Sequence, residues 1–245
     1  MASDLRRLHL RHVVAHTLQL HGYTHQIELV QTGNIAIEGL LGSWLPHDED
    51  VIDVSRLPKH DIMKDEFKDI DFRSEKLERE YIGVTFDHCD FTEIVFGDVL
   101  FDDCQFTACN LSLCKSRGTS WNGVRFGGCK MTGINFSDAN RFTFRASFKD
   151  CQLQYALFHG LSLLGTRFDR CQLEEVDYAD CNLKKAVFNE CELRLAEFSR
   201  CNLEYADFTT AHGYIINPND NRLSHAKFSR YGVEGLLAAY KIEIV

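Results

Sequence analysis

Proline is scarce, with three in 245 residues, and several signatures of other protein classes are missing altogether. The opening Met1-Ala2-Ser3-Asp4-Leu5-Arg6-Arg7 is charged and leads into no long apolar run. This argues against a secretory leader and a membrane-spanning helix, and for a cytoplasmic protein. No two cysteines stand in the C-x2-C spacing of zinc knuckles. There is no Gly-rich phosphate loop, no G-x-S-x-G elbow and no H-E-x-x-H helix, so neither an enzyme nor a bound cofactor is expected. One absence is local: between Tyr81 and Cys114 there is no Lys or Arg.

What the chain does have is a period of five. Large apolar residues fall at Phe86, Phe91, Phe96, Phe101, Phe106, Leu111, Trp121, Phe126, Met131 and Phe136. After a two-residue slip around Arg141-Phe142-Thr143-Phe144 they resume at Phe148 and run through Phe168, Leu173, Tyr178, Leu183, Phe188, Leu193, Phe198 and Leu203 to Phe208. Two places before each stands a small or β-branched residue, and all ten cysteines share that phase, from Cys89 to Cys201. A helix repeats every 3.6 residues and a strand every 2, so a period of five requires a chain that turns a corner each time and stacks coil on coil. Each buried Phe or Leu contributes roughly 1.5–3 kcal/mol. Cysteine at the small position packs as a compact apolar residue.

Segments such as Ala206-Asp207-Phe208-Thr209-Thr210, Ala226-Lys227-Phe228-Ser229-Arg230 and Cys201-Asn202-Leu203-Glu204-Tyr205 resemble the pentapeptide-repeat proteins. The resemblance implies a mainly β fold, a right-handed quadrilateral β-helix of four pentads per coil. Its large and small residues point inward and the others face solvent. Coils about 4.8 Å apart would make a rod of about six coils, on the order of 30 Å. Twenty residues per coil would stack Cys151, Cys171 and Cys191 in one column, Cys181 and Cys201 in another, and Cys89, Cys109 and Cys129 in a third.

Residues 1–66 lack the beat. The spacing of Leu5, Leu8, Val13, Val14 and Leu18, ended by Gly22, predicts a small N-terminal helical unit that caps the open end of the solenoid. On such a helix His9, His12 and His16 share one face and could hold zinc or nickel, or serve as ordinary surface residues; the second reading is the simpler, and no metal is expected. Phe67, Phe72 and Leu77 already keep the beat, so the solenoid is placed at residues 67–230, with an irregularity before Phe86 and a loop at about 211–224. Residues 231–245 read as a C-terminal helix with an apolar tail.

The ending from Ile216-Asn217-Pro218 through Gly235-Leu236-Leu237 is similar to that of the microcin-immunity and quinolone-resistance branch of the family. That likeness implies a homodimer through Leu236, Leu237, Tyr240, Ile242 and Ile244, and an acidic, DNA-mimicking rod that binds DNA gyrase or topoisomerase IV. The charge pattern agrees, with a formal net charge of −9. Asp87, Asp90, Glu93, Asp98, Asp102 and Asp103 form a candidate partner-binding acidic face, whose field repels nucleic acid and attracts a basic protein groove. The alternative is a scaffold or adaptor in a regulatory or defence assembly with no topoisomerase role.

Overall fold

The computed structural model describes residues 66–240 and 242–243 and, before them, the backbone of four strands: β1 (His16–Leu20), β2 (Tyr23–Leu29), β3 (Asn34–Ala36) and β4 (Ile52–Asp53). Two compact units divide the chain, Met1–Met63 and Lys64–Val245.

The described part of the first unit is an antiparallel sheet in the order β1-β2-β3-β4, where a helical unit was expected. The reason is legible in β2. Tyr23, His25, Ile27 and Leu29 alternate with Thr24, Gln26 and Glu28, which is the period of a strand. Leu20 pairs with Tyr23; Gly22, read as a helix stop, lies outside the described residues. His16 opens β1, so no helical stripe runs through it; His9 and His12 lie outside the described residues.

In the second unit the pentads stack as parallel ladders on four walls. The first wall is a nine-stranded sheet of β5 (Glu66–Lys68), β7 (Thr85–Asp87), β9 (Gln105–Thr107), β11 (Val124–Gly127), β12 (Ala146–Lys149), β13 (Arg167–Asp169), β14 (Val187–Asn189), β15 (Asp207–Phe208) and β16 (Lys227–Phe228). Single bridges build the second wall, from Asp71 through Asp90, Asn110, Lys130, Gln152, Gln172 and Glu192 to His212, and the third, from Val95 through Lys115, Asn135, Leu157 and Asp177 to Glu197. The fourth wall begins with β6 (Glu80–Ile82), β8 (Leu100–Asp102) and β10 (Ser120–Asn122) and resumes with Ser162, Asn182, Asn202 and Arg222. The stack is therefore longer than six coils. Nine strands on one wall make eight steps, roughly 38 Å at 4.8 Å each.

Most corners are turned by a residue in the left-handed region. Asp150, Arg170 and Glu190 close one column of corners and Tyr155, Glu175 and Leu195 the next, with φ between 51° and 61°. Such a residue costs about 1–2 kcal/mol unless it is glycine, and the burial at the next two inward positions offsets that cost.

Inside, one column is phenylalanine throughout. The rings of Phe148, Phe168, Phe188 and Phe208 are parallel, with centroids 5.1, 5.1 and 4.7 Å apart. The slip lies where the spacing placed it. Phe126 pairs with Phe148, and Val124 with Ala146, so this coil has two extra residues, taken up by the turn before β12. At the start, Phe67 pairs with Phe86, one residue short of a full coil.

The 211–224 segment is less of a loop than expected. His212 and Arg222 remain on their ladders, and Tyr214 and Ile216 are buried. Beyond it, a 3-10 turn at Arg230–Gly232, the helix α1 (Glu234–Leu237) and a second 3-10 turn at Ala238–Tyr240 close the C-terminal end.

Candidate functional site

All ten cysteines are free and buried. The slip merges two of the expected columns into one: Cys129 lies beside Cys109 on one side and Cys151 on the other, and Cys151 beside Cys171. A single ladder therefore runs Cys89, Cys109, Cys129, Cys151, Cys171, Cys191. Sulfurs donate to carbonyls of the preceding coil, as Cys181 does to Phe158 at 3.0 Å and Cys201 to Tyr178 at 3.0 Å. Burial pushes the Cys104 thiol up to about 11 and those of Cys114, Cys181 and Cys201 up to about 12. These are neutral packing groups, poor nucleophiles and poor metal ligands. Among the described residues no group of His, Cys, Asp or Glu is placed to hold a metal ion, and no helix is long and apolar enough to cross a membrane.

The sequence placed six acids on one face, and the structure distributes them around the rod. Asp87 lies on the first wall, where Lys68 Nζ approaches it at 3.0 Å and His88 Nδ1 at 2.7 Å. The Lys68 hydrogen bond holds its carboxyl below the ordinary range. Asp90 and Glu93 belong to the second wall, Asp98 to the third, and Asp102 and Asp103 to the fourth. Asp90 accepts from the Thr92 backbone N–H at 2.8 Å and stands 3.6 Å from Arg73. Asn122 donates to Asp102 at 2.5 Å. Glu93, Asp98, Asp102 and Asp103 have no cation within ion-pair distance among the described residues. A side chain at Gly118 or Gly123 would collide with the carboxylates of Asp98 and Asp103, so those glycines leave both acids their places at the corners. The arrangement is a collar of carboxylates on all four walls, with Asp87 and Asp90 each met by a cation of the coil before.

At the C-terminal end, Leu236 and Leu237 are half-buried, Tyr240 is exposed and Ile242 is 57% exposed; Ile244 lies outside the described residues. The Tyr240 hydroxyl accepts from Asn219 Nδ2 at 3.2 Å. Tyr231, which the sequence reading did not single out, is 93% exposed.

Residues 151–236 match a family model described as pentapeptide repeat region. The solenoid is a pentapeptide-repeat β-helix. Among solved structures, HetL, a pentapeptide repeat protein involved in heterocyst differentiation regulation from the cyanobacterium Nostoc sp. strain PCC 7120, has a TM-score of 0.51 at 12% identity, over 67% of this chain and 84% of its own. A trypsin-treated variant of QnrB1, a plasmid-mediated fluoroquinolone resistance protein, gives 0.48 at 20% identity, over 74% and 91%. Full-length QnrB1 gives 0.45 at 19%, over 72% and 100%. At these identities the likeness is one of fold. No curated protein sequence matches significantly.

The pentapeptide-repeat walls carry a second charge feature that net charge conceals. From Lys115 to Lys149 the cations are Lys115, Arg117, Arg125, Lys130, Arg141, Arg145 and Lys149, against the single acid Asp138. The acidic collar thus gives way within one coil to a basic belt, and mixed walls follow from Asp150 onward. A running count of charge along the sequence would have found it; the total of −9 averages it away.

Proposed function

We propose that the pentapeptide-repeat rod is a non-catalytic protein-interaction module of the cytoplasm, and that its first coils dock into a basic protein groove shaped for DNA, as in a type II topoisomerase such as DNA gyrase. The observation that carries this reading is the collar. Six carboxylates stand on a rigid backbone on all four walls, in a segment without lysine or arginine. A groove that encloses a duplex meets negative charge from every side, and a ring of acids supplies that where a single acidic face would not. The basic belt limits the mimicry to the coils before Lys115.

Supercoiling by gyrase, with and without a fluoroquinolone, tests the proposal. The rod is expected to shift the inhibitor response, with an effect that weakens in high salt and in the triple variant Asp98→Asn, Asp102→Asn, Asp103→Asn. No effect at any protein concentration would end the topoisomerase reading.

A scaffold role is the second reading. It is favoured by exposed apolar side chains on one column of corners, Leu113, Tyr155 and Leu195, which suit a protein partner with no basic groove. Affinity capture with Leu195→Ser as control separates the two.

A further inference from the structure

The basic belt is centred on a built feature. The turn that absorbs the two extra residues carries Arg141-Phe142-Thr143-Phe144-Arg145. Phe144 is buried, whereas Phe142 is 99% exposed. Both flanking arginines are positioned: Arg145 donates through Nε to Asn122 Oδ1 at 2.9 Å, and Arg141 lies over the corner at Gly160, where a side chain would stand 3.3 Å from its guanidinium. Arg145 leads directly into β12, and on that wall Arg125, Lys149 and Arg167 occupy three consecutive strands. The acids beside them are engaged elsewhere. Asp150 takes two hydrogen bonds from Arg170, at 2.8 and 3.0 Å, and Asp169 accepts from Arg170 at 3.2 Å and from Asn189 at 2.7 Å. Among the described residues Arg125, Arg141, Lys149 and Arg167 have no ion-pair partner.

We infer that this turn and the first wall it leads into bind single-stranded nucleic acid, with its phosphates on Arg125, Lys149, Arg167 and the two turn arginines and a base stacked on Phe142. A flat β wall that carries Arg125 and Arg167 in one row, two strands apart, with Lys149 two residues along the strand between them, can track a phosphate backbone, and a solvent-exposed aromatic ring between arginines is a sequence-tolerant stacking platform. An acidic peptide would satisfy the charges and leave the ring idle. A duplex keeps its bases in the stack, out of reach of Phe142. The site borders the collar, since Asn122 accepts from Arg145 and donates to Asp102, but it does not depend on the topoisomerase reading.

Fluorescence anisotropy of a labelled oligothymidylate with the full chain tests it. Binding is expected with a slope of log affinity against log salt of roughly −3 to −4, the value for about five phosphates neutralised in a single strand. Phe142→Ala is expected to weaken it about 5- to 10-fold, and Arg141→Glu with Arg145→Glu by more than about 10-fold. Phe142 makes no part of the core, so its variant retains the melting temperature of the parent; Arg125→Glu with Lys149→Glu gives an independent check on the wall. Absence of binding at low salt would overturn the assignment. So would equal affinity for polyglutamate, duplex DNA or anionic vesicles combined with indifference to Phe142→Ala, which would leave the belt a generic anion surface.

Discussion

Trp121 stands edge-on to both Phe96 and Phe136, with ring centroids at 5.3 and 5.7 Å, and Ser116 is the residue between those two phenylalanines in their column. Serine at a fully buried large-residue position would leave a hole; the indole from the adjacent column takes the space. The two residues are expected to be coupled. Ser116→Phe should destabilise by about 1–3 kcal/mol through overpacking, and Trp121→Ala by about 3–5 kcal/mol through cavity formation. Combined with Trp121→Leu, Ser116→Phe should cost less than the sum, as urea unfolding of the double-mutant cycle would report.

The thiols are expected to be silent in the folded protein. An aromatic disulfide reagent at neutral pH should titrate none of the ten cysteines until denaturant is added, and all of them afterwards. Fast labelling under native conditions would mean that the coils open.

The C-terminal cap depends on close approach. A Cβ at Gly235 would run into the Tyr214 carbonyl, the residue whose ring packs 5.5 Å from Phe208 and 5.7 Å from Phe228. Gly235→Ala should therefore lift α1 from the end of the stack. The expected cost is about 1–3 kcal/mol in unfolding, together with faster proteolysis after Tyr240.

Dimerisation through the same end is a separate matter. Removing residues 236–245 is expected to convert a dimer to a monomer in sedimentation while the far-ultraviolet spectrum of the solenoid persists. An unchanged mass would place the interface elsewhere or show the parent to be monomeric.

Acid should loosen the ladder of surface pairs. Arg170 and Arg200 hold the Asp150 and Asp180 carboxyls below their ordinary values by direct hydrogen bonds, and Arg73 lowers Asp71 to about 2. A carboxyl whose pKa is lower when folded adds stability above its unfolded value, about 3.9, and loses it as pH falls through the folded value. The urea midpoint should thus be flat near neutrality and drop below about pH 4. The effect is modest because the pairs are exposed, and Asp180→Asn should flatten the drop.

How far the sequence could be read follows from the range of each interaction. The five-residue spacing is visible because the inward direction of Phe168, Cys171 and Leu173 is settled by a few neighbouring bonds. The same is true of the slip before Phe148. The alternation in Tyr23–Leu29 is equally local, although the expectation of a helical unit rests on the spacing upstream of it and not on these residues. Register was not legible in this way. That Cys129 meets Cys151, or that Asp87, Asp90, Asp98 and Asp102 face four different directions, depends on residues one coil apart.

By itself the amino-acid order determined the repeat unit, the identity of the core and the inward place of the cysteines, since burial at alternate positions of a pentad is a local choice of the backbone. Only the stacked structure decided what the outside presents. Side chains a coil apart in sequence become neighbours about 5 Å apart in space, and only there do scattered acids close into a collar and an inserted turn set Phe142 between its arginines.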